Sequence, residues 1–169
     1  MPDGERERNF NNWIDSSERI LFKVVHTYAF TDADRQDLLQ EILIELWRSM
    51  DAFRGDSSLA TWVYRIAINT AIDWTRKEER HRQLKKSIDT VDGMLTLDSP
   101  AFHNQKLEWL YEQISKLNSV DRSLILLLLD GYSYKEIASI VGISVSNVGV
   151  KINRIKSAMS IESTKEIRE

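Results

Sequence analysis

The sequence predicts an all-α protein: two small helical domains joined by a flexible linker, the C-terminal one a helix-turn-helix. Three observations predict it. Apolar residues recur every three or four positions along most of the 169 residues, and no alternating stretch is long enough for a strand. Only six Gly and two Pro punctuate the chain, so its helices can be long. The periodicity fails from about 83 to 104 and then resumes, which suits two small domains at this length.

The elements follow in order. A first helix is expected from about Asn11 to Tyr28, where Trp13, Ile14, Ile20, Leu21, Val24, Val25 and Tyr28 share helical spacing. Thr31, followed by Asp32 and Asp34, is a start signal: its hydroxyl can accept a free first-turn N–H, and acids suit the positive helix end. The helix it opens puts Leu39, Ile42, Leu43, Leu46, Trp47 and Met50 on one stripe, with Asp37, Gln40, Glu41, Glu45 and Arg48 off it. Arg54, Gly55, Asp56, Ser57 and Ser58 read as a turn ending in helix caps. The third helix is expected from about Leu59 to beyond Lys77. Leu59, Trp62, Val63, Ile66, Ala67, Thr70, Ala71 and Trp74 should face inward, and Thr61, Arg65, Asn69 and Asp73 form a polar stripe beside them.

Asp89 to Gly93 and Leu97 to Pro100 have linker composition. Leu107, Leu110, Tyr111, Ile114 and Leu117 then restore a helical period. Asn118-Ser119 caps a helix from about Val120 to Asp130, and Gly131 stops it. Ser133-Tyr134-Lys135-Glu136 has capping-box form and opens a helix that ends at Gly142. Ser144 caps a last helix to about Met159. The domains are placed at 1–82 and 105–169, with the linker at 83–104.

Composition excludes several classes. Without cysteine there is no disulfide, thiol nucleophile or thiolate metal site, which suits a reducing, cytoplasmic setting. The first ten residues are too charged for a secretory signal. The longest aliphatic run, Leu124 to Leu129, is far short of the roughly 20 residues of a membrane helix, so no membrane insertion is expected. His26, His81 and His103 are scattered, and no phosphate-binding glycine loop occurs, so neither enzyme, metal nor cofactor is expected.

Net charge is −3 but unevenly placed. Arg76 to Lys86 holds six basic residues against two acidic, whereas Thr31 to Asp56 holds seven acidic against three basic. Basic patches inside an acidic whole predict weak DNA affinity alone and the need for a larger partner.

Tyr134 to Ser144, followed by Val145 to Lys156, has helix-turn-helix spacing. Ala138 is small where two helices cross, Gly142 permits the left-handed turn, and Ile137, Val141, Ile143, Val148 and Ile152 supply a small core. The second helix, capped by Ser144, should expose Ser146, Asn147, Lys151, Arg154 and Lys156, and from Ser144 to Lys156 it contains no acid. Short polar groups near its start can reach base edges, and later cations can reach phosphates. Gly149 either allows a close backbone approach to DNA or simply weakens the helix.

Asp37-Leu38-Leu39-Gln40-Glu41, then Phe53-Arg54-Gly55-Asp56-Ser57-Ser58-Leu59-Ala60-Thr61-Trp62, then Asn69, Asp73, Trp74 and Arg76 resemble region two of bacterial RNA polymerase sigma factors of the extracytoplasmic-function (ECF) group. The helix-turn-helix with the upstream Val120-Asp121-Arg122 resembles their region four. The likeness covers about residues 10–160.

The resemblance implies a sigma factor directing promoter-specific initiation. Asp37, Gln40, Glu41, Ile44 and Glu45 would dock on the clamp helices of the largest subunit of core RNA polymerase. Region four would meet the flap of the second-largest subunit. Arg54, Asp56, Ser57, Ser58, Trp62, Arg65, Asn69, Asp73, Arg76 and Lys77 would hold and melt the minus-ten element of promoter DNA, with Tyr64, Trp74 and Arg80 as further candidates. Ser144, Ser146, Asn147, Lys151, Arg154 and Lys156 would read the minus-thirty-five element. The familiar recognition helix has a small residue and Thr before Val148, then Lys-Ser-Arg. This chain has Ser146-Asn147-Val148-Gly149-Val150-Lys151 and so lacks the early basic position. The two-domain layout also permits an anti-sigma partner. The alternative is a two-domain helix-turn-helix regulator that binds operators as a dimer, for which the acidic α-helical face and the Asn69/Asp73 pair would have no use.

Overall fold

The computed structural model describes residues 3–86 and 105–166, with side chains from 4 to 84 and from 109 to 160. The described residues contain no strand, and they fall into two units, one within 1–101 and one within 102–169.

The first unit comprises α1 (Asp3–Tyr28), α2 (Asp32–Ser49), a single tight turn at Met50–Ala52, and α3 (Leu59–Lys86). Thr31 caps α2 as its sequence context requires, its hydroxyl accepting from the Asp34 N–H at 3.1 Å. α3 packs against both α1 and α2. Leu21, Val24 and Tyr28 of α1, Leu38, Ile42 and Leu46 of α2 and the inward residues of α3 are buried in a core closed to water.

Four expectations are corrected here. α1 begins at Asp3 rather than near Asn11. The charged head is pinned from a distance: Arg6 pairs with Asp51 at 3.0 Å, donates to the Trp47 carbonyl, and lies 4.9 Å from the Trp47 ring, which Phe10 meets edge-on. In α2, Leu38 is fully buried with Ile42 and Leu46, while Leu39 is only half-buried and Trp47 stays partly exposed. In α3, Tyr64, Ile68 and Ile72 are buried as well, because a helix gripped on two sides buries a wider arc than one stripe. α3 also runs unbroken through Lys86, so positions 83–86 of the expected linker are helical. The remainder, 87–104, lies outside the described residues.

The second unit comprises α4 (Gln105–Ser115), α5 (Ser119–Leu129), α6 (Tyr134–Val141) and α7 (Val145–Glu166). Asn118 caps α5 by accepting from the Asp121 N–H at 3.0 Å. Arg122 donates to the Leu117 and Ser115 carbonyls, tying the end of α4 to α5. The capping box of α6 is complete: the Ser133 hydroxyl and N–H both donate to Glu136, holding its carboxyl below the usual range. Gly142 takes φ +79°, the left-handed turn that separates α6 from α7. Ile137, Ala138, Ile140, Val148 and Ile152 are buried between the helices, with Val141 and Ile143 only half-buried. Ile114, Ile125 and Ile155 form a second cluster. α7 extends past Met159 to Glu166.

Candidate functional site

In the first unit a groove of about 290 Å³ opens between α2 and α3. Glu41, Glu45 and Ser49 line it from α2, and Ile66, Asn69, Thr70, Asp73 and Lys77 from α3. Residues expected to serve separate roles, polymerase docking and minus-ten contact, thus border one groove. Ion pairs order its rim: Lys77 meets Glu41 at 3.3 Å, Arg76 meets Asp73 at 3.3 Å, and Arg48 meets Glu45 at 2.9 Å. Asp37 accepts a 2.7 Å hydrogen bond from the indole N–H of buried Trp74, which fixes the start of α2 against α3. Gln40 is exposed, and Ile44, 49% exposed, is an apolar point among these acids.

The turn before α3 needs Gly55, whose φ is +79° with open space around it. Arg54 and Asp56 are exposed on either side, and Ser57 is half-buried. Ser58 caps α3 by accepting from the Thr61 N–H at 3.1 Å. Arg65 is half-buried on the polar stripe. Tyr64 is a core residue, 1% exposed, and so departs from the expectation of an open aromatic surface, whereas Trp74, 4% exposed, is buried as its place on the inward stripe requires. Trp62 is half-buried in a cluster with Trp13 and Phe53, at ring distances of 5.4 and 5.2 Å.

In the second unit α7 turns Ser146, Asn147, Arg154 and Lys156 to solvent, as expected. Lys151 differs. Its ammonium lies 2.8 Å from Asp121, a carboxylate only 4% exposed that also accepts from Arg154 at 3.0 Å and Asn118 at 2.8 Å. Burial pushes the Asp121 carboxyl up, but the hydrogen bonds from Lys151, Asn118 and Arg154 outweigh it, and the net shift is downward. The partner lies 30 residues away, so no local pattern marks it. Gly149 also turns inward: a Cβ there would touch the Tyr134 ring at 3.7 Å. That is an ordinary contact distance, so the packing of α6 on α7 does not itself demand glycine there. Ser144 accepts from the Asn147 N–H at 3.2 Å.

Two features escaped the sequence reading. Val150 stands exposed at the centre of the outer face of α7, where periodicity alone assigns an aliphatic residue no role. An apolar groove of about 330 Å³ lies between α1 and α2, lined in part by Ile14, Leu21, Phe22, Leu39 and Leu43. His26 stacks on Phe22 at 3.8 Å there, and burial, opposed by its bond to the Phe22 carbonyl, lowers its pKa. No helix among the described residues is long and apolar enough to cross a membrane.

Known proteins share this arrangement. Residues 13–81 match the family model of sigma-70 region 2, and residues 107–159 match that of sigma-70 region 4. RNA polymerase sigma factor YlaC of Bacillus subtilis (strain 168) is 30% identical over 164 residues, covering 92% of this chain and 95% of that protein. The ECF RNA polymerase sigma-E factor of Escherichia coli (strain K12) is 29% identical over 165 residues, covering 90% and 85%. Among solved structures, sigma factor RpoE in complex with the anti-sigma factor NepR from Bartonella quintana aligns with a TM-score of 0.69 at 18% identity, covering 89% of this chain and 93% of that one. CnrH in complex with the cytosolic domain of CnrY aligns at 0.64 and 20% identity, covering 94% and 90%. The chain belongs to the sigma-70 family, as an RNA polymerase sigma factor of the ECF group that directs transcription from particular promoters.

Proposed function

We propose that residues 1–82 dock on core RNA polymerase and open the minus-ten element, and that residues 105–169 read the minus-thirty-five element. Asp37, Gln40, Glu41, Ile44 and Glu45 meet the clamp helices of the largest subunit. Arg54, Asp56, Ser57 and Ser58 close over a base that Asn69 and Asp73 receive, while Arg65, Arg76 and Lys77 meet phosphates and Trp62 braces the turn. Ser144, Ser146, Asn147, Arg154 and Lys156 face the upstream element, and Lys151 stands behind them on Asp121. The polymerase performs nucleotidyl transfer, and the chain acts in the cytoplasm. By likeness to neighbours solved with anti-sigma proteins, such a partner can hold this chain inactive.

The observation that supports this most is the α2/α3 groove, where the acidic docking face and the Asn69/Asp73 pair share one opening. Run-off transcription on fragmented genomic DNA tests it, with core polymerase supplied with and without the protein. New discrete starts sharing two upstream motifs are expected. Asn69→Ala with Asp73→Ala should leave polymerase binding unchanged and lower open-complex formation by about ten-fold or more. Loss of polymerase binding in that double variant would sink the assigned pocket. No new starts, with dimeric binding of duplex DNA by the protein alone, would move the reading to an operator-binding regulator.

A further inference from the structure

α7 buries Val148, Ile152 and Ile155, and turns Asn147, Val150, Asn153 and Arg154 outward. Val150 is 68% exposed, the most exposed large apolar side chain among the described residues. Asn147 lies three positions before it, and Asn153 and Arg154 three and four after, so all share one face within a turn of Val150. A β-branched residue gains nothing from helix propensity there and nothing from packing within its own domain.

The neighbourhood narrows what Val150 can recognise. It has no donor or acceptor, so it cannot hydrogen-bond a base edge or a phosphate. The adjacent Lys151 ammonium is turned onto Asp121, and the Arg154 guanidinium reaches the same carboxylate at 3.0 Å, so both cations near Val150, the groups that would select guanine, are engaged there. Gly149, half-buried beside Tyr134, contributes no side chain, so the side chain presented outward at this level is the valine. The apolar feature that the major groove presents to such a group is the 5-methyl of thymine.

We propose that Val150 is a specificity-determining residue that contacts a thymine methyl in the upstream promoter element, next to a base edge read by Asn147. This rests on the assignment of α7 to that element. Because Val150 is exposed, Val150→Ala should leave the fold intact.

The test uses the full chain with core polymerase and a duplex promoter taken from the run-off starts. Each thymine of the upstream element is replaced in turn by deoxyuridine, which removes the methyl and keeps base pairing. Replacement at one position should weaken binding of the unaltered protein about three- to five-fold, as expected for one buried methyl. Val150→Ala should bind thymine and uracil forms equally. If base-pair changes in the element weaken binding but no uracil replacement does, the methyl contact is overturned while the assignment of α7 stands. A Val150→Ala protein that still distinguishes uracil from thymine overturns it equally. If no change in the upstream element matters, the assignment of α7 itself falls.

Discussion

Replacing Asp121 by Ala is expected to destabilise the second unit by about 2–3 kcal/mol, because it leaves the half-buried Lys151 ammonium without its anion. The loss is smaller than for a fully enclosed ion pair. Arg154 is 67% exposed and regains water when released, so its share is slight. Denaturant unfolding of the full chain, read by amide exchange in α5 and α7, measures the effect. The sign of the pH dependence follows from the downward shift of the carboxyl. With a folded pKa below the unfolded value of about 3.9, its stabilisation is complete above that pH and is lost as pH falls through the folded pKa. The Ala variant should lack this acid limb. A stability change under about 0.5 kcal/mol would mean that the triad of Asp121, Lys151 and Arg154 does not hold α7 to α5.

Glu41→Lys is expected to leave the fold nearly untouched and to weaken core polymerase binding by at least about ten-fold. The two consequences separate because Glu41 and Lys77 form a partly exposed pair, with 35% and 57% of their side chains accessible. Such pairs contribute roughly 0–1 kcal/mol to stability. A reversed charge facing a basic partner surface costs far more. Glu41→Lys combined with Lys77→Glu restores the internal pair but not the docking charge. Recovery of polymerase binding in that double variant would show that the pair, and not the acidic face, matters for docking. Thermal unfolding and titration of labelled protein with core polymerase measure the two effects.

Helix starts were legible because they are local chemistry. Thr31, Asn118 and Ser133 each accept from an N–H three residues on, and those spacings are written in the chain. Gly142 was legible for the same reason: a left-handed turn demands it. The start of α1 was not, because Arg6 finds Asp51 and Trp47 across more than forty residues. The inward arc of α3 was read too narrowly, since periodicity shows one face and cannot announce a second neighbour that buries Tyr64 and Ile68. Of the candidate sites, the polar stripe of Asn69 and Asp73 was visible as spacing. That it would open onto Glu41 and Glu45 depends on how α2 lies against α3, which spacing does not encode.

The unbroken α3 has an evolutionary corollary. Asp73 and Arg80 lie seven residues apart in one rigid helix, close to two full turns, and so project from the same side. One inserted residue between them would swing everything beyond by about 100° and advance it by about 1.5 Å. Substitutions at the exposed positions of this rod are therefore cheap and insertions are not. Across the family, the interval from the groove to the basic segment at Arg80 should vary in composition far more freely than in length.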